Sequence, residues 1–250
     1  MIQELFGVSP GFFCVVLVVG FVGFVISATF GIGGVVLLIP LLSTTLPPAQ
    51  AVAVSAPIML VNNLSKTWVY RKHLDKRALF YVSALAVPTA FFAALLTTRI
   101  DDRVILLAVA ALIILSVVVE HARARPVRLS DTALLFWGLV TGAISGIAGA
   151  AGPPTAIGLK GYGLTREAFV ATVAVFAVFL QLAKIPAYWS TNALPARLLP
   201  LCAVLGAVAV VAVAVGPPLL RRLPERSFKL GVDALLLLSA AWLIVDVARR

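Results

Sequence analysis

Ten acidic residues and two histidines are all the carboxylate and imidazole groups that this 250-residue chain carries, and both deficits narrow its chemistry. Metal centres and acid–base catalysts need clustered His, Asp, Glu or Cys. Here His73 and His121 stand at helix ends beside Arg and Lys, the reading expected of solvated loop residues. Ala143-Ile144-Ser145-Gly146 resembles a serine-hydrolase stretch, but no histidine lies at depth in an apolar run to act as base. A membrane phosphatase would want clustered Arg, His or carboxylates at depth. The two cysteines, Cys14 and Cys202, fall inside apolar runs without metal or disulfide spacing. There is no Walker loop or other nucleotide motif. The chain is therefore expected to be no enzyme and to use no cofactor or metal.

Charge of either sign is scarce as well: charged residues make up 12% of the chain, against roughly a quarter in soluble domains. What fills the chain instead is apolar, at 62% hydrophobic residues with a mean hydropathy of +1.09. Such a chain belongs in a bilayer, where a span needs about 20 mostly apolar residues. Eight runs meet that need: Pro10 to Thr29, Pro48 to Tyr70, Ala78 to Thr98, Val104 to His121, Thr132 to Ile147, Glu167 to Trp189, Leu198 to Leu220 and Ser227 to Val247. Two shorter segments, Gly31 to Leu42 and Gly149 to Leu159, remain. The expected fold is an all-α, polytopic membrane protein of about eight long helices plus two short Gly-rich broken-helix segments. No Lys or Arg precedes the first apolar run, so a cleavable leader is not expected and the first helix stays. The net charge of +10 sits in short loops between spans, which orientation in the membrane explains without nucleic acid.

Positions 17 to 70 recur 118 residues later. FGIGGVVLLIPLL from Phe30 lies over AGAAGPPTAIGLK from Ala148, with identities that include Gly20/Gly138, Ser27/Ser145, Gly31/Gly149, Gly34/Gly152, Lys66/Lys184 and Tyr70/Tyr188. Composition alone would give on the order of five matches, fewer than the dozen-plus seen, and it explains paired Lys, Tyr, Ser and Gly far less well than paired Leu. RIDDR from Arg99 resembles RLPER from Arg222, so the duplication extends along the chain. Residues 1–250 thus read as a single membrane domain of two repeats, 11–121 and 130–248, joined by Glu120 to Ser130. Internal repeats around interrupted hydrophobic segments are a common plan of secondary transporters.

Loop charges discriminate between two topologies. If each short segment dips in and returns, the two membrane sides carry 10 and 8 Lys/Arg. If each crosses, the repeats become inverted and the sides carry thirteen against five. Only the second division obeys the positive-inside rule, and it places both termini outside the cytoplasm. A twelve-residue crossing segment spans about 18 Å as a helix, short of the ~30 Å core. It must therefore include extended backbone that lines a cavity or is buried in protein.

Gly31, Gly33 and Gly34 break the first copy and expose amide N–H groups suited to an anion. Gly149 and Gly152 do so in the second copy, where Pro153 and Pro154 remove donors and narrow the set to Thr155, by amide and hydroxyl, and the Ala156 amide. The same glycines would also serve tight helix packing alone. Lys66 and Lys184 each follow a broken segment, with Asn63 and Gln181 one turn earlier on the same face. A buried Lys costs about 2.5–3.5 kcal/mol on insertion scales and calls for a counter-charge or a use; the alternative is snorkelling to the interface, which Lys66, five residues before Arg71, is placed to do. Asp233 is the candidate coupling carboxylate, with pairing to Lys229 as the structural alternative.

The pairing of FGIGGVVLLIPLL with ISGIAGAAGPPTAIGL, each after a long first helix in a duplicated chain, resembles the sulfite exporter TauE/SafE family of membrane transporters. Val35, where a third Gly is often found, and Ala150-Ala151 depart from the family's glycine runs. The resemblance implies a multi-pass protein of the bacterial inner membrane that moves sulfite, a sulfonate or a related anion. The expected partners are then a small inorganic or organic sulfur anion and the lipid bilayer; a homo-oligomer is left open. The expected function is a secondary transporter or facilitator with one site between the repeats near the midplane. Its substrate contacts would be Gly31, Gly33, Gly34, Asn63, Lys66, Gly149, Gly152, Thr155, Gln181 and Lys184. The alternatives are a non-transporting scaffold or accessory subunit, or a carrier of an unrelated small anion.

Overall fold

A computed structural model describes residues 10–30, 37–121, 129–164, 166–220, 237, 238, 240–245, 247 and 248. Gly31, Gly33, Gly34 and Asp233 lie outside the described residues. Every regular element among the described residues is helical: α1 (Pro10–Phe30), α2 (Leu38–Leu42), α3 (Pro48–Tyr70), α4 (Lys76–Leu96), α5 (Asp102–His121), α6 (Asp131–Ala148), α7 (Gly152–Tyr162), α8 (Arg166–Ser190) and α9 (Leu199–Leu220). Residues 237, 238, 240–245, 247 and 248 are helical too. Among the described residues, five helical stretches are long and apolar enough to cross a membrane: Pro10–Ala28, Lys76–Arg99, Asp131–Ala148, Glu167–Ser190 and Ala196–Val215. Helix α3 has 23 residues, but Asn62, Asn63 and Lys66 face its interior side rather than lipid. The outer surface presents Val18, Trp68, Phe80, Phe92, Phe136 and Leu182, as a bilayer-facing surface should.

Boundaries follow from local chemistry. Pro48 occupies the first turn of α3, where its missing N–H costs nothing. Asp75 caps α4 by accepting from the Ala78 amide at 2.9 Å, and Ser130 caps α6 by accepting from the Ala133 amide at 3.2 Å. Gly149 and Gly163 end α6 and α7 in the left-handed region, at φ of 76° and 94°.

Polar contacts gather five helix ends at one end of the bundle. Arg77 at the start of α4 donates to Asp131 Oδ2 at the start of α6 (2.5 Å), and the Tyr162 hydroxyl at the end of α7 donates to Asp131 Oδ1 (2.6 Å). The Asp75 amide donates to Thr172 Oγ1 of α8 (3.2 Å), and His73, just past α3, lies 3.9 Å from Glu167 at the start of α8. Helix α3 therefore ends where α8 begins, and these two helices, which carry the two lysines, pack antiparallel. Helix α7 likewise ends where α6 began. With eleven residues it spans about 16 Å, and the break from Gly149 to Ala151 supplies the rest of the return. The second short segment thus returns the chain to the end of the bundle from which α6 started. At the opposite end Arg197, just before α9, donates to Gln50 of α3 at 3.2 Å.

Packing exchanges one helix between the halves of the sequence. Helix α4 packs on α6 and α8, while α9 packs on α1 and α3. Two apolar cores result: one includes Phe24, Leu38, Val54, Ile58, Leu201 and Leu205, the other Val82, Ala86, Leu134, Leu159, Phe176 and Leu180. The α4–α6 seam is closed by Gly138, Gly142 and Gly146, spaced by four so that they form one stripe, against the backbone of Val82, Ala86 and Ala90. This stripe was readable as G-x-x-x-G-x-x-x-G.

Helix α7 is seated by Trp137, whose Nε1–H donates to Pro154 O at 2.6 Å. A Cβ at Gly158 would collide with the same indole. Gly158→Ala is expected to push Trp137 off that carbonyl and to cost about 1–3 kcal/mol, seen as a lower melting midpoint in detergent; an unchanged midpoint would show that the indole does not seat α7.

Candidate functional site

Helix α6 stops at Ala148 inside an apolar chain, and its last carbonyls have no partner within the helix. Backbone at that depth must be satisfied by protein. Three side chains do so. Lys184 Nζ donates to Ser145 O (3.3 Å) and Gly149 O (3.0 Å), the Tyr188 hydroxyl donates to Gly146 O (2.5 Å), and Thr97 Oγ1 donates to the same oxygen (3.0 Å). A cation at this position also faces the negative end of the helix macrodipole.

The first half repeats the plan with different atoms. Lys66 Nζ donates to Ser27 Oγ in the last turn of α1 at 3.0 Å, and Asn62 Nδ2 donates to the same hydroxyl oxygen at 3.2 Å. Ser27 and Ser145 hold matching positions in the duplication, so each lysine reaches the end of the helix before its own break.

Neither ammonium snorkels. Lys66 is 1% exposed and Lys184 is 0% exposed. Lys66 sits only one turn from the end of α3, yet Cβ atoms tilt toward a helix N-terminus, which carries this side chain into the bundle. Among the described residues neither lysine pairs with a carboxylate. Asn63 and Gln181 are buried beside them, and Asn63 Nδ2, Gln181 Oε1 and Asn62 Oδ1 have no hydrogen-bond partner among the described residues.

The lysines do not converge on one point. A Cβ at Gly149, whose carbonyl holds Lys184, would meet Ser55 Oγ at 3.0 Å and Val52 Cγ1 at 3.1 Å. Ser55 precedes Lys66 by eleven residues on α3, about 16 Å along the axis. The antiparallel packing of α3 and α8 places one ammonium toward each end of this helix pair.

The Gly-rich break differs from expectation. Helix α7 starts at Gly152 with Ala151 as its N-cap, so Thr155 lies in the fourth helical position. Its amide (3.0 Å) and hydroxyl (2.7 Å) both donate to Ala151 O, and the Ala156 amide falls still deeper in the helix. The prolines at 153 and 154 have no N–H, so the open first-turn amides are those of Ala151 and Gly152. The donors assigned to Thr155 are already engaged in the helix. Sequence reasoning missed Ser27, Asn62 and Tyr188 as neighbours of the lysines, although Ser27 and Tyr188 both belong to the duplicated identities.

No curated protein and no solved structure matches the chain. Residues 15–243 match the family model described as Sulfite exporter TauE/SafE. With nearly the whole chain inside that match and a helical, membrane-compatible architecture around two buried lysines, the chain belongs to the sulfite exporter TauE/SafE family.

Proposed function

We propose that this protein moves a small sulfur-containing anion, sulfite or a sulfonate, across a bacterial inner membrane as a secondary transporter or facilitator, using Lys66 and Lys184 as two successive stations. Membership in an exporter family makes the chain a membrane transporter of the anion class. The observation that carries the finer reading is the pair of buried ammonium groups, at matched positions, without a carboxylate partner among the described residues. Each is offset only in part, since a helix C-terminus supplies roughly half a unit of negative charge. The remaining positive potential suits an anion that passes from one lysine to the other.

Two further observations support an inverted duplication with alternating access. Helices α3 and α8 run antiparallel, and each half lends a helix, α4 or α9, to the other. Arg71, Lys72, Lys76, Arg77 and Lys160 lie by the end where α3 and α7 finish, which the positive-inside rule makes cytoplasmic.

Purified protein in proteoliposomes is expected to take up labelled sulfite, and the Lys66→Ala/Lys184→Ala variant to lose about a hundredfold of that flux while still inserting. Unchanged flux in the double variant overturns the stations. Absence of flux for any anion from the unaltered protein, with a stable partner on co-purification, supports a scaffold instead.

A further inference from the structure

Each lysine station contains a buried acceptor that a fully deprotonated oxyanion cannot satisfy. At the first, Asn62 Nδ2 faces two acceptors, Ser27 Oγ at 3.2 Å and Met59 Sδ at 3.7 Å, which turns Asn62 Oδ1 the other way, buried and without a partner among the described residues. At the second, Gln181 lies one turn before Lys184 and is 5% exposed, and its Oε1 is likewise buried and unpaired. Lys66 and Lys184 meanwhile use one and two of their three N–H donors on described residues. A buried acceptor left unmet is costly, and an oxyanion without hydrogen, which only accepts, would add repulsion to that cost.

Resting on the transport reading above, we infer that the transported species is a singly charged sulfur anion that carries its own hydrogen-bond donor, with Asn62 and Gln181 as the residues that select for it. The ligand accepts from the ammonium and donates to the amide oxygen at each station in turn. The partial offset of each lysine by a helix C-terminus points the same way, because it leaves too little positive charge for a dianion. Two sources share this chemistry: hydrogensulfite, and a sulfonate bearing a hydroxyl or amine.

The test compares 2-hydroxyethanesulfonate with ethanesulfonate, which have equal charge and similar size and differ by one O–H, as inhibitors of labelled sulfite flux in proteoliposomes. The hydroxylated compound is expected to inhibit at least about tenfold more strongly, the penalty for an unmet buried acceptor. Gln181→Met and Asn62→Leu, which remove the acceptors at similar volume, are each expected to narrow that ratio. Accumulation of labelled 2-hydroxyethanesulfonate itself would assign an organic sulfonate; inhibition without accumulation would assign hydrogensulfite. Equal inhibition by the two compounds, or by neither, with sulfite flux intact overturns the donor requirement alone, and needs no variant to fold. A ratio that persists in both folded variants overturns the assignment to Asn62 and Gln181. Absence of sulfite flux overturns the transport reading and this inference with it.

Discussion

Exchanging Lys184 for methionine is expected to remove both anion flux and several degrees of thermal stability, whereas the same exchange at Lys66 removes flux alone. Methionine keeps the length of the side chain and fills the same space without charge. At position 184 it leaves Ser145 O and Gly149 O, both buried at the end of α6, without their donor. Each orphaned acceptor costs about 1–3 kcal/mol, and a chain of this size loses about 2–4 °C per kcal/mol. A fall of about 4–24 °C in the melting midpoint follows. At position 66 the acceptor is a hydroxyl that keeps a second donor, Asn62 Nδ2, so Lys66→Met should melt within a few degrees of the unaltered protein. Flux should fall about a hundredfold in both, because each removes the lysine charge at one proposed station. Thermal melts in detergent beside sulfite uptake separate the two effects. Equal melting of the two variants would contradict the capping role of Lys184, and wild-type flux in either would contradict the two-station path.

Gly142→Val is expected to prevent the bundle from assembling. A Cβ there would collide with Ala86 O and would lie 2.8 Å from Ala86 Cα and 2.9 Å from Ala86 C. These are backbone atoms, so no rotamer change relieves the contact, and α4 must move off α6 along the whole stripe of Gly138, Gly142 and Gly146. Overpacking of this kind costs about 1–3 kcal/mol or more. A valine, branched at Cβ, lies at the high end. Even Gly142→Ala should lower the melting midpoint and broaden the elution profile in detergent. Gly11→Ala serves as the control, since nothing lies within 4 Å of its Cβ. Similar melting of the Gly11 and Gly142 alanine variants would show that α4 and α6 do not depend on this close approach.

The long helices were legible because apolar length is a property of the chain alone, and the lysines because duplication marks residues that composition does not. Their partners were not legible. Lys184 binds carbonyl oxygens of residues 145 and 149; the duplication marks both positions, but a carbonyl has the same chemistry at every residue, so the letters do not show that the backbone there is the partner. Thr155 was misjudged for a related reason: the sequence shows two prolines that open a helix but not whether it starts before or after them, and a start at Gly152 engages the donors of Thr155 within the turn. The opposite directions of α3 and α8 were implied by the inverted arrangement that the loop charges favour, whereas the packing of these two helices against each other is shown by tertiary contacts alone. The Gly138–Gly142–Gly146 stripe, in contrast, is written plainly in the chain at spacing four.

The exchange of α4 and α9 between the halves has a consequence for biogenesis. Helices α1 and α3 are translated early, yet the helix that covers both of them, α9, is among the last to leave the ribosome. During most of synthesis their contact faces stand in lipid unmatched, so assembly is governed by a long-range closure that comes late. The α4, α6 and α8 group can form sooner. A nascent chain stalled before Leu199 therefore contains one finished core and one that waits, and such a stalled chain is the form in which quality-control proteases would find α1 and α3 unprotected.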